Sequence, residues 1–131
     1  MSSNNIPLFS ASVANAGIDF ITPLKSVVDS HWYVLGNEVK LFEEEFAAYV
    51  GVSHCISVAN GSDALELALR GLGVTKGDPV VAVANAGFYG STAIHAVGAE
   101  PVYADVDPKT LTLCTQSLSA VIAASKPSVI I

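Results

Sequence analysis

From residue 52 onward the chain alternates between β-like and helix-like runs, and this alternation constrains the fold more than any other feature. "HCISVA" (54–59) reads as a strand, Ser62 to Gly71 as a helix, and "DPVVAVA" (78–84) as a second strand. Tyr89 to Val97 reads as a helix, "EPVYADV" (100–106) as a strand, Gln116 to Ala124 as a helix, and "SVII" (128–131) as the start of another strand. Such alternation predicts an α/β fold with a mostly parallel sheet. Right-handed crossovers would then lay the helices on both faces of the sheet. In open α/β sheets ligands gather outside the carboxyl ends of the strands. For the strand "SVII" that edge falls past residue 131, so the chain is expected to be the N-terminal portion of a longer protein. The alternative is a small four-stranded domain whose last strand ends the chain.

The first fifty residues read differently. Residues 1–17 are rich in Ser and Asn and lack periodicity, so an extended arm is expected. Ile18 to His31 is expected to be helical. Asp19 or Thr22 lies near its start, and Pro23 fits a first turn. "HWYVLGN" (31–37) is an aromatic loop closed by a glycine. Glu38 to Val50 is the clearest amphipathic helix, with Val39, Phe42, Phe46 and Tyr49 at helical spacing. Glu43, Glu44 and Glu45 read as its solvated face, and Gly51 as its stop. The expected division is therefore an N-terminal arm and helices over 1–51 and an α/β domain over 52–131.

Composition narrows the possible partners. The chain is 51% apolar and 14% charged, much apolar sequence for 131 residues, so a partner or further fold is expected to cover part of it. The net charge is −6 and the six basic residues are scattered, which gives no basic stripe for nucleic acid. No apolar run reaches the roughly 18 residues of a membrane span. The N-terminus lacks the basic and apolar regions of a secretory signal. Cys55 and Cys114 have no metal spacing, which favours a reduced, cytoplasmic setting. His31, His54 and His95 have no neighbouring ligand pattern.

Three turns carry potential chemistry. At Asn60-Gly61-Ser62-Asp63 a β-like run passes through a glycine turn into a helix start. Free amides and the positive end of the helix dipole there suit a phosphate. Gly61 admits close approach, and Ser62 adds a hydroxyl. The competing reading is an ordinary N-cap supplied by Ser62 or Asp63, and the Asp63 carboxylate argues against an anion. The turn is neither a Walker A loop nor G-x-G-x-x-G. In "VANAGFYGSTAI" (83–94) a second strand ends in small residues before Phe88 and Tyr89. An aromatic ring there could stack on a flat group held at the first turn, or pack into a core. In "YADVDPKT" (103–110) Asp105 and Asp107 could serve acid–base or metal chemistry, but Asp107-Pro108-Lys109-Thr110 has the residues of a turn.

These stretches, in this order, resemble the sugar aminotransferase family known as DegT/DnrJ/EryC1/StrS. The pieces that carry the resemblance are "GNEVKLFEEEFAAYVGVSHCISVANGSDALELALRGLGVTKGDPVVAVA" and "AIHAVGAEPVYADVDPKTLTL". The first resembles the family's helix leading to an N-G-[ST]-x-A-L turn. The second resembles its G-A-x-P-V-x-x-D-[VI]-D strand. The resemblance extends from about Pro7 to Ile131.

The resemblance implies part of the large domain of a fold-type I pyridoxal-phosphate enzyme. It implies that Gly61, Ser62 and Asp63 lie at the cofactor phosphate, Asp63 through its amide. It also implies an aromatic wall for the pyridine ring. The family commonly reads P-x-x-T-[FWY] there, whereas this chain places Gly87 at the aromatic position, so Phe88 or Tyr89 must substitute. Trp32 and Tyr33 fall in a segment the family uses near its sugar nucleotide, although packing at an interface is an equal reading. The implied whole protein is a cytoplasmic homodimer that moves an amino group from glutamate to a nucleotide-linked keto sugar. The implied catalytic lysine lies outside these residues, because none of the five lysines fits the family's lysine motif. A sugar dehydratase of the same family and a non-catalytic α/β binding module are the rival readings.

Overall fold

The computed structural model describes residues 7–131, and the chain divides into two compact units at the Ser57–Val58 link. The first unit is helical. Its first helix, α1 (Ala11–Ala14), is a single turn inside the stretch expected to be extended throughout. One turn shows no periodicity to read, and alanine's helix preference suffices for it. The rest of the expected arm, residues 1–6, lies outside the described residues. Helix α2 (Ile21–Ser30) starts where the Asp19 carboxylate accepts the amides of Ile21 and Thr22 at 2.9 and 3.1 Å. Pro23 falls in its first turn, where a missing N–H costs nothing. The loop that follows turns back tightly. A Cβ on Gly36 would lie 2.8 Å from the Trp32 carbonyl oxygen, so only glycine fits there.

Helix α3 (Asn37–Val50) forms as its periodicity predicts, and Gly51 ends it at φ 80°. Phe42 and Phe46 stack with ring centroids 5.5 Å apart, and Tyr49 continues the stripe 6.3 Å from Phe46. The acidic run is not uniformly solvated. Glu43 is half-buried, and its carboxylate accepts the Ser57 amide at 2.6 Å.

The expected strand over 54–59 does not form. A strand exists only through hydrogen bonds to a neighbour, and among the described residues no strand pairs with this segment. Ile56 is left 80% exposed. The segment has the residues of a strand without the ladder.

The second unit is α/β. It comprises α4 (Gly61–Gly71), β1 (Pro79–Val83), α5 (Tyr89–Ala96), β2 (Glu100–Ala104), α6 (Thr115–Ser125) and β3 (Val129–Ile130). The strands form one parallel sheet in the order β2-β1-β3, with Val81 opposite both Val102 and Ile130. Three consecutive residues of β1, Val80 to Ala82, are buried, so both faces of the central strand are covered. An unbroken apolar run is what a parallel strand covered on both sides requires. Val80 and Ala82 join Leu69 of α4 and Ala93, Ile94 and Val97 of α5 or its end in one core. The "DPKT" stretch is a turn. Asp107 accepts the amides of Lys109 and Thr110, and beyond it Val106 and Leu113 make an antiparallel bridge. No helix among the described residues is long and apolar enough to cross a membrane.

Candidate functional site

The start of α4 is built by Asn60. Its backbone is extended (φ −162°, ψ 175°), and its side-chain oxygen accepts the Asp63 amide at 3.0 Å. Its side-chain nitrogen donates to the Asp63 carboxylate, also at 3.0 Å, and its carbonyl accepts the Ala64 amide. The cap is therefore Asn60 and not Ser62 or Asp63. Only the residue just before the first helical one can reach back to the third amide, and Ser62 already lies inside the first turn. Two consequences follow for the site. The Asp63 carboxylate is held by Asn60. The amides of Gly61 and Ser62, which have no intrahelical acceptor, and the Ser62 hydroxyl stand at the positive end of the helix.

A hollow of about 480 Å³ opens at this end, lined by Asn60, Gly61, Ser62, Leu65 and Tyr89. A Cβ on Gly61 would meet no atom within 4 Å, so the space before that residue is open. Tyr89, the first residue of α5, brings an aromatic ring to the same hollow and is 69% exposed. Phe88 goes elsewhere. It lines a separate hollow of about 370 Å³ with Ala86, Gly87, Ser91 and Tyr103. There Ser91, buried on the inner face of α5, shares a hydrogen bond of 2.9 Å with the Tyr103 hydroxyl.

Thus Gly61, Ser62 and Tyr89 converge, while Phe88 and the Asp63 carboxylate stand apart. Trp32 and Tyr33 belong to the first unit, where they line a hollow with Ser26, Ser30 and Glu38. The Tyr33 hydroxyl lies 3.0 Å from His31 Nδ1. None of the lysines lines the Gly61–Tyr89 hollow. Lys25 pairs with Asp29, Lys40 lies 3.9 Å from Glu44, and Lys126 closes α6 in a left-handed conformation. Among the described residues no cluster of three His, Cys, Asp or Glu side chains is placed to hold a metal. Sequence reasoning passed over Asn60, although Asn followed three residues later by Asp before an apolar run is a capping signal. It also passed over the Ser91–Tyr103 pair, which left no trace beyond a small polar residue on an apolar helix face.

Comparisons place this chain among known proteins. The DegT/DnrJ/EryC1/StrS aminotransferase family matches over residues 16–131. The chain is similar to UDP-2-acetamido-2-deoxy-3-oxo-D-glucuronate aminotransferase of Pseudomonas aeruginosa, at 44% identity over 75% of this chain and 27% of that protein. It is similar in structure to a DegT DnrJ EryC1 StrS aminotransferase from Brucella abortus, with a TM-score of 0.87 and 32% identity over 96% of this chain and 36% of that one. It is also similar to the PLP-form of the protein Spr1654 from Streptococcus pneumoniae. That TM-score is 0.74, with 29% identity over 78% of this chain and 26% of that one. The chain therefore spans about a quarter to a third of the length of these relatives.

Proposed function

The chain belongs to the DegT/DnrJ/EryC1/StrS aminotransferase family, and from that premise we propose that it holds the cofactor phosphate in a pyridoxal-phosphate-dependent nucleotide-sugar aminotransferase. The observation that carries this reading is the convergence of Gly61, Ser62 and Tyr89 on one hollow. The residues present fit the group. Two helix-start amides and a hydroxyl suit a phosphate dianion, the open face of Gly61 gives it room, and a ring stands beside them. When bound, pyridoxal phosphate supplies the electron-withdrawing ring that carries an amino group between substrates.

In this proposal the Gly61 and Ser62 amides and the Ser62 hydroxyl donate to phosphate oxygens. The Asn60 side chain keeps the Asp63 carboxylate engaged, so a like charge does not face the anion. Tyr89 walls the pyridine ring, and the Asp63 amide, expected at the phosphate, instead donates to the Asn60 side chain and serves the cap. The lysine that bonds to the cofactor is proposed to come from outside residues 1–131 and the chain alone to be inactive, a reading supported by a hollow with no lysine in its lining. The amino donor is glutamate and the acceptor a nucleotide-linked keto sugar, for an amino sugar of a polysaccharide or secondary metabolite. The name of the Pseudomonas relative, an aminotransferase of a nucleotide-linked oxo sugar, supports the acceptor class. Trp32 and Tyr33, exposed aromatics in the first unit, are proposed contacts for that substrate. The whole protein is proposed to be a cytoplasmic homodimer, a reading supported by the exposed Phe42, Phe46 and Tyr49 stripe.

Titration with pyridoxamine 5′-phosphate tests the cup without needing the lysine. Ser62→Ala should weaken binding about tenfold, the loss of one hydrogen bond to a charged group. Gly61→Val should fill the open space and abolish binding without unfolding the chain. Unchanged affinity in Gly61→Val would overturn the proposal.

A further inference from the structure

Gly87 has no backbone reason to be glycine. The glycines with positive φ are Gly17, Gly51, Gly73, Gly77 and Gly98, and Gly87 is not among them. Its need is spatial. A Cβ at this position would lie 3.1 Å from both Cδ2 and Cε2 of Tyr89, closer than ordinary van der Waals contact. The Tyr89 ring thus occupies the space that a side chain at position 87 would fill, and the same ring lines the hollow with Gly61 and Ser62.

We propose that Gly87 is a positioning residue for cofactor binding: its missing side chain lets the Tyr89 ring seat beside residue 87 and wall the Gly61–Ser62 hollow. This rests on the reading of that hollow as a pyridoxal-phosphate site. The aromatic wall and the vacancy beneath it are then one device, divided between two residues. Gly87 and Phe88 both line the other hollow, with Ser91 and Tyr103, so Gly87 reaches the Gly61–Ser62 hollow only through the Tyr89 ring. A methyl group at 87 leaves the α4 amides untouched and acts only through the ring.

The test uses two probes on the 131-residue chain, pyridoxamine 5′-phosphate and inorganic phosphate, each measured by equilibrium dialysis. Phosphate reports the α4 turn alone, whereas pyridoxamine phosphate reports the turn and the ring wall. Tyr89→Ala should weaken pyridoxamine phosphate about three- to tenfold, the range of an aromatic contact. Gly87→Ala should weaken it by a similar factor and leave phosphate binding unchanged. In the Tyr89→Ala background Gly87→Ala should have no further effect. Thermal unfolding separates this from a structural role, since an alanine at a glycine without positive φ should hold or raise the melting temperature. Wild-type affinity for pyridoxamine phosphate in Gly87→Ala would overturn the inference alone. So would equal weakening of both probes, or a Gly87→Ala effect that persists without Tyr89. Failure of the wild-type chain to bind either probe would overturn the site reading and this inference together.

Discussion

Leu69, Val80, Val81 and Ile94 in the second unit are sealed from solvent, whereas Phe42, Phe46 and Tyr49 in the first are 54%, 44% and 87% exposed. Both units have well-formed helices with apolar stripes. The difference lies in what faces the stripe. In the second unit α5 packs on the parallel sheet and α4 packs on α5, and the central strand is covered on both sides. In the first unit the aromatic residues of α3 find mainly one another. Amphipathic periodicity makes a helix; a core needs a second layer.

The comparison can be broken most directly at Leu69. Leu69→Ala should cost about 2–5 kcal/mol in urea unfolding followed by circular dichroism. Phe46→Ala should cost about 0.5 kcal/mol, in the range of surface substitutions. Equal losses would mean that the two units are not packed as differently as their exposures indicate. A smaller effect separates the partners of one hydrogen bond. Ser91 is 7% exposed and Tyr103 46%. Tyr103→Phe strands a buried hydroxyl and should cost about 1–3 kcal/mol, against about 0.5–1.5 kcal/mol for Ser91→Ala, where water can serve the tyrosine. The opposite order in thermal unfolding would contradict the burial assigned to the pair. Next comes the cap. Asn60→Ala should cost about 1 kcal/mol, while Ser62→Ala should leave stability nearly unchanged, because Ser62 lies inside the first turn of α4.

The smallest expected effect is on pH dependence. The Thr75 amide, and after it the Thr75 hydroxyl, hold the Asp78 carboxyl below the ordinary carboxylate range. A carboxyl depressed in the folded state adds stability that is complete above its unfolded value. That stability is lost as pH falls through the folded value. Acid titration of Asp78→Asn should show a flatter loss of stability in that window than the wild-type chain shows. Because Asp78 is solvated, the difference should be slight.

Much of the second unit was legible because its elements differ in period and because β1 is an unbroken apolar run. What escaped reading depends on partners that a linear sequence does not display. Residues 54–59 carry β-forming side chains, yet a strand is a pairing and no described strand pairs there. Helix α1 is too short for periodicity. Asn60, Ser62 and Asp63 are all good capping residues, and the backbone angles of Asn60 decide among them. The spacing between Tyr89 and Gly87 could be counted in the sequence. That the ring folds back over the glycine could not, because it depends on the conformation of the Tyr89 side chain.

The β2-β1-β3 order also carries a kinetic consequence. β1 and β2 are joined through one short helix, but β1 reaches β3 by pairing Val80 and Val81 with Val129 and Ile130, about fifty residues along the chain. Closing so long a loop is the slower event, since its entropy is lost before any contact offsets it. β1 and β2 should therefore zip first and β3 should dock last. Hydrogen exchange would show it: the Ile131 amide, bonded to the Val81 carbonyl, should gain protection during refolding after the Ala84 amide, which is bonded to the Ala104 carbonyl.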